Sequence, residues 1–155
     1  MKNIPLTQDF FLGGKAIFTL SNRDTGEHRT YMIKKSKPNA RYPNPAFFVR
    51  LLTGPNNTSD YQYLGKLRTI SGTDWLGKEY AAGTVHLTGE SKLSSEAAAV
   101  KGIRYLMGRV FGSGQIHDQM EVAHAGKCGR CGRLLTTPES LERGIGPECW
   151  SIMGS

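Results

Sequence analysis

Apolar and polar positions alternate in short runs through the first half of the chain. Residues 16–21 and 28–35 each carry the two-residue period of a half-buried strand, and Asn22, Asp24 and Gly26 between them are turn residues. The two runs predict a hairpin. Pro38, Pro43 and Pro45 make 36–46 a loop, because proline fixes φ and removes a backbone donor. Further strands are predicted over 47–53, over 61–67 and within 79–87, joined by turn-rich segments as in an antiparallel meander. After Ser94 the period lengthens. Val100, Ile103, Leu106, Met107, Val110 and Phe111 then fall on one helical face. Ser94 or Ser95 is read as the helix cap, with Glu96 in the first turn, and Gly112 to Gly114 end the helix.

The expected fold class is therefore α+β. An antiparallel sheet of about five strands packs against one long helix, and a small C-terminal zinc finger follows. Residues 1–114 form the β-rich domain in this reading, with 1–12 as a lead-in, and 115–155 form a linker, with room for a short extended piece at Met120 and Val122, and the finger. The expected core is Phe18, Ile33, Phe48, Val49, Leu51, Val100, Ile103 and Met107.

Composition sharpens this picture in two ways. At 155 residues with 38% hydrophobic and 21% charged side chains, the chain suits one soluble domain with an appendage. It has no run near the ~18 apolar residues of a membrane span and no apolar signal-peptide core. A cytoplasmic location without membrane contact is expected. Lys and Arg outnumber Asp and Glu by 20 to 13, for a net charge of +7. That excess favours a polyanionic partner, above all nucleic acid.

All three cysteines lie near one end: Cys128, Cys131 and Cys149. An odd, clustered set is a poor disulfide framework but most of a metal site. The C-x-x-C spacing grips one ion, and Gly129 and Gly132 permit the tight turn of a zinc knuckle. Thr137 as cap, Pro138 at the first helical position, Glu139 in the first turn and Gly144 past the end predict a short helix. Gly146 and Pro147 then turn Cys149 back toward the metal. Structural Zn2+ needs a fourth ligand. His124 is the nearest candidate, His117 the second, and an open water position the third. A redox dithiol would want a βαβ setting that is missing here.

The finger's pattern, Cys128-Gly129-x-Cys131-Gly132-Arg133-x-Leu135-Thr136, then Pro138-x-Ser140 and Gly144-Ile145-Gly146-Pro147-x-Cys149, resembles a small zinc-finger family of uncharacterised function found in bacteriophage and actinobacterial proteins. The stretch from Phe48 to Gly65 resembles the β-rich region that precedes this finger in such proteins. The resemblance implies a phage or prophage origin and a zinc-binding tail, and it supplies no catalytic residues.

No acidic residue occurs from 28 to 59, where Arg29, Lys34, Lys35, Lys37 and Arg41 interleave with aromatics including Tyr42. Lysines for phosphates and rings for bases are the logic of single-strand binding. Lys127, Arg130 and Arg133 add charge from the knuckle. No catalytic spacing is present, so no enzyme is expected. The expected function is a nucleic-acid-binding accessory protein of phage origin that favours single strands, DNA ahead of RNA. The alternative is a phage protein that binds and modulates a host protein. An exposed sheet edge would let two chains pair as a homodimer.

Overall fold

The structure, a computed structural model, describes residues 2–3, 6–40, 43–56 and 59–153, so Arg41 and Tyr42 lie outside the described residues. Its elements are β1 (Lys2–Asn3), α1 (Gln8–Phe11), β2 (Lys15–Asn22), β3 (His28–Lys35), β4 (Phe47–Leu52), β5 (Tyr61–Arg68), β6 (Gly72–Thr73), β7 (Glu79–Tyr80), β8 (Thr84–His86), α2 (Ala98–Val110), β9 (Met120–His124), α3 (Pro138–Arg143) and α4 (Pro147–Ile152). Among the described residues the main sheet has seven strands in the order β1-β9-β2-β3-β4-β5-β8, and every pairing is antiparallel.

The expected meander is present as β2 to β5, because its signals are local. Asn22 Oδ1 accepts the backbone N–H groups of Asp24 (2.9 Å) and Thr25 (3.2 Å) and so shapes the β2–β3 turn. Ser36 closes the proline loop: its N–H donates to the Ala46 carbonyl (2.7 Å) and its Oγ accepts from Ala46 N–H (2.9 Å). A register shift at Val49/Arg50 against β5 bends the ladder in the manner of a β-bulge.

One face of the sheet makes the core. Ala16, Phe18 and Leu20 of β2, Tyr31 and Ile33 of β3, and Val49 and Leu51 of β4 point to that side, where α2 lays Val100, Ile103, Leu106, Met107 and Val110 upon them. Tyr31 Oη donates to the Ala99 carbonyl at 2.7 Å, tying the middle of the sheet to the start of α2. Burial pushes the Tyr31 hydroxyl up to about 12, against the opposing pull of Arg29.

Five expectations need correction. The strands are more numerous than about five, because residues read as lead-in and linker also join the sheet as β1 and β9. β9 sits between β1 and β2, with Phe18↔His124, Leu20↔Val122 and Asn22↔Met120 in register. A boundary at 114 therefore cuts through the sheet. The chain is also not limited to one helix and a tail: α1 buries Phe10 and Phe11 completely, and both rings meet Phe18 edge-on, at 6.4 and 4.9 Å between centroids. Ser94 does not cap α2. Its Oγ accepts from Glu96 N–H (2.9 Å) and shapes the preceding turn, while Ala97 is the uncapped first flanking residue. Finally, Phe48 is half-buried on the face away from α2, since it alternates with the buried Val49.

Between β5 and β8 a two-stranded hairpin, β6–β7, projects from the body. Asp74 Oδ1 accepts from Leu76 N–H (2.9 Å) and Lys78 N–H (2.8 Å), fixing a turn whose tip presents Trp75 and Leu76, 90% and 71% exposed. Among the described residues no helix is long and apolar enough to cross a membrane.

Candidate metal centre and basic sheet face

The knuckle is built from a short hairpin. Leu135 N–H donates to the Gly126 carbonyl (2.9 Å), Cys128 N–H to the Arg133 carbonyl (2.8 Å) and Gly132 N–H to the Cys128 carbonyl (2.9 Å). The tight turn this closes aims Arg130 N–H at Cys128 Sγ, 3.4 Å away. Next comes α3, with the reciprocal Thr137–Ser140 cap and Pro138 at its start. Gly144, at φ +74°, ends it in the left-handed region that favours glycine. Gly146 N–H then donates to Cys128 Sγ at 3.3 Å, and Pro147 opens α4, whose first turn carries Cys149. The Sγ atoms of Cys128, Cys131 and Cys149 all lie within 4.8 Å of one another.

The arrangement favours the thiolate at Cys128. Burial pushes Cys128 up, but the N–H groups of Gly146, Cys131 and Arg130 outweigh it and bring the thiol down to about 7. Burial raises Cys149, and the Arg130 guanidinium, donating to its Sγ at 3.4 Å, opposes that rise. Three sulfurs this close, with N–H donors already aimed at them, fit a metal ion bound through Cys128, Cys131 and Cys149.

The structure does not bring a histidine to the thiols. His124 is fully buried in β9. Its Nδ1 accepts from Gly126 N–H (2.8 Å), which places the proton on Nε2, and Nε2 donates to the Leu141 carbonyl (2.6 Å). Both ring nitrogens are engaged, so His124 is a neutral strut between β9, the knuckle and α3. His117 is held elsewhere, its N–H on Tyr105 Oη (2.9 Å) and its ring stacked on Tyr105 at 5.8 Å. His124→Ala is expected to leave metal stoichiometry unchanged while costing about 2–4 kcal/mol, from a cavity and two stranded backbone groups. Elemental analysis beside a denaturant melt checks this, and loss of metal would return His124 to the ligand set.

The finger is bound into the body. Lys15 N–H donates to the Gly129 carbonyl (2.7 Å), joining β2 to the knuckle. Phe10 lies against the backbone of Gly129 and Gly144. A Cβ on Gly144 would stand 2.5 Å from the Phe10 ring, and one on Gly129 2.8 Å from it, so both positions require glycine.

Lys15, Lys34, Arg50 and Lys66 lie on the sheet face opposite α2, where strand pairing arranges side chains in cross-strand rows. One row runs Lys15, Lys34, Phe48, Lys66, His86. The next runs Ile17, Met32, Arg50, Tyr63. A third includes Thr19 opposite Thr30, and Leu52 opposite Tyr61. Lys34, Lys35 and Lys37 share a groove with Lys15 and Arg130, and Lys127 joins Lys15 and Lys34 in the adjoining hollow. These expected residues are thus brought together from two parts of the chain. Two others are placed elsewhere: Arg29 is paired with Glu27 (3.7 Å), and the exposed Arg133 with Glu148 (3.7 Å). Desolvation lowers the His86 pKa, as do the charges of Arg68, Lys66 and Arg104, with Asp74 opposing.

Lys15, Arg50 and Lys66 were not among the expected nucleic-acid-binding residues. Their signal was parity: each alternates with a core position of its strand, and so shares a face with Lys34. No curated protein and no solved structure matches the chain. A family of unknown function, DUF6011, matches residues 118–154, a segment that takes in β9, the three cysteines, α3 and α4.

Proposed function

We propose that this is a zinc-containing nucleic-acid-binding accessory protein that holds single strands, DNA ahead of RNA, across the open face of its sheet. The ion is zinc, since thiolate sets at knuckle spacing suit it, and its role is structural. An accessory role in phage replication, recombination or expression accords with the finger's resemblance to phage proteins.

The observation that carries the reading is the direct pairing of Lys15 with Lys34 across β2 and β3. Like charges directly opposite each other destabilise a sheet. Here the pair continues through Phe48 to Lys66 and His86, and it opens onto the groove of Lys35, Lys37 and Arg130. A phosphate backbone would relieve that repulsion. The half-buried rings of Phe48 and Tyr63, 6.1 Å apart, offer π-faces to unpaired bases. A broad sheet face suits splayed bases better than a duplex groove.

The test is fluorescence anisotropy with a labelled oligonucleotide over a salt series. Affinity should fall by roughly 0.7 log units per log unit of salt for each phosphate neutralised. Replacing Lys15, Lys34 and Lys66 together with Gln should flatten that slope by about two units and leave folding intact. No affinity for DNA or RNA at low salt would end the reading. The second reading, a modulator of a host protein, is favoured by the exposed Trp75 and Leu76 at the β6–β7 tip, since aromatic anchors of this kind dominate protein interfaces.

A further inference from the structure

We infer that Cys128, Cys131 and Cys149 are the chain's whole ligand set, and that the hollow between the knuckle and α4 admits a small thiol from outside as the fourth ligand of their metal. The inference rests on the metal-site part of the proposed function and deepens it.

Tetrahedral thiolate sites of the structural kind are closed by four ligands of the protein. Among the described residues this chain brings three together. Its four histidines are all placed elsewhere. His124 has both ring nitrogens engaged, and His117 is stacked on Tyr105. His28 Nδ1 sits 3.3 Å from the Gly26 carbonyl at the exposed start of β3. His86 belongs to β8, at the opposite edge of the sheet from β1 and β9. Glu148 borders the cluster, but its exposed carboxylate turns to Arg133 at 3.7 Å.

All three cysteines line one half-open hollow of about 180 Å³. A water needs roughly 10–15 Å³ of such space, so an ion on the three sulfurs leaves room beside it. Leu135 and Pro147 form apolar walls, and Leu134 stands at the rim, 74% exposed. Such walls suit a short carbon chain better than a hydrated anion. The donor that suits an ion already on three thiolates is another soft sulfur. A small thiol meets both demands, and it gives its proton to solvent as it binds. Arg130, on Cys149 Sγ at 3.4 Å, and Arg133 at the edge of the hollow offset the added negative charge.

The test uses the full chain loaded with Co2+, whose visible absorption reports the donors around it. It is titrated with ethanethiol and, as a control, with ethanol. The bands should shift and saturate with the thiol, without loss of bound Co2+, and stay in place with the alcohol. Glu148→Gln should leave the starting spectrum as it is, and a changed one would overturn the inference by putting Glu148 in the fourth place. Gly146→Ala narrows the hollow without a clash. Its Cβ would stand 3.9 Å from both Cys128 Sγ and Leu135 Cδ2, and the φ of −69° suits any residue. It should keep one Co2+ per chain and raise the half-saturating thiol concentration by about fivefold or more. An unchanged concentration would overturn the placement in the hollow. Bands that the thiol does not move, in a chain that holds Co2+, would overturn the inference and leave the metal site standing. A chain that binds neither Co2+ nor Zn2+ would overturn both.

Discussion

Truncated after Gly114, the chain is expected to lose its cooperative thermal transition. The deletion removes β9, which lies inside the sheet and not beside it. Phe18 and Leu20 then lose their partners His124 and Val122, and β1 loses the strand it pairs with. Phe10 loses more, because the knuckle backbone at Gly129 and the end of α3 at Gly144 leave with the tail, as does the buried Ile145. Uncovering one large aromatic costs about 3–5 kcal/mol, and a domain of this size has only about 5–15 kcal/mol in hand. Circular dichroism through a melt should show a broad, shallow change, and a dye for exposed apolar surface should bind at low temperature. A truncated chain that still melts sharply near the full-length temperature would mean that the core closes without β9.

The second large effect is expected on taking out the metal. Cys149→Ser, or a strong chelator, should release one equivalent of zinc, unfold the segment from the knuckle to α4, and lower the melting temperature of the whole chain. Structural zinc is worth about 10–16 kcal/mol of apparent binding free energy in isolated finger peptides. Part of that should reach the sheet here, because Phe10 packs on the two glycines that the metal site holds in place. Mild acid should have the same effect, since thiolates must give up the metal as they protonate. Zinc content measured beside a calorimetric melt checks the coupling. A zinc-free chain that melts at the holo temperature would show the finger to be a passenger.

What could be read from the residues was whatever is decided within a few positions. The β2–β3 turn rests on Asn22 and Gly26, and α3 rests on Thr137, Pro138 and Gly144; each of these segments carries its own geometry. β9 could not be read so, because its pairing with β2 joins residues about a hundred positions apart. α1 escaped for a related reason: four residues are too few to show a helical period, and only the tertiary structure reveals that Phe10 and Phe11 are core. His124 stood nearest to Cys128 in sequence, yet distance along the chain says nothing of which hydrogen bonds a buried ring already makes. The thiol cluster was legible because C-x-x-C is a local device and a third cysteine followed a predictable helix. The open face was legible in part. Lys34 was counted as basic, but its alignment with Lys15 and Lys66 depends on three strand registers.

The place of β9 also has a bearing on how the chain is made. During synthesis β2 to β8 and α2 all emerge before residues 120–124. Until then one edge of β2 carries a row of unsatisfied N–H and C=O groups, the kind of template on which chains aggregate. Lys15 at one end of that edge and the polar Ser21 and Asn22 at the other resist such pairing, while Phe18 and Leu20 between them invite it. The nascent protein therefore passes through a period of vulnerability that ends when a late segment slots into an early edge. Joining the cysteine cluster to the sheet through β9 thus leaves that edge of β2 open until late in synthesis.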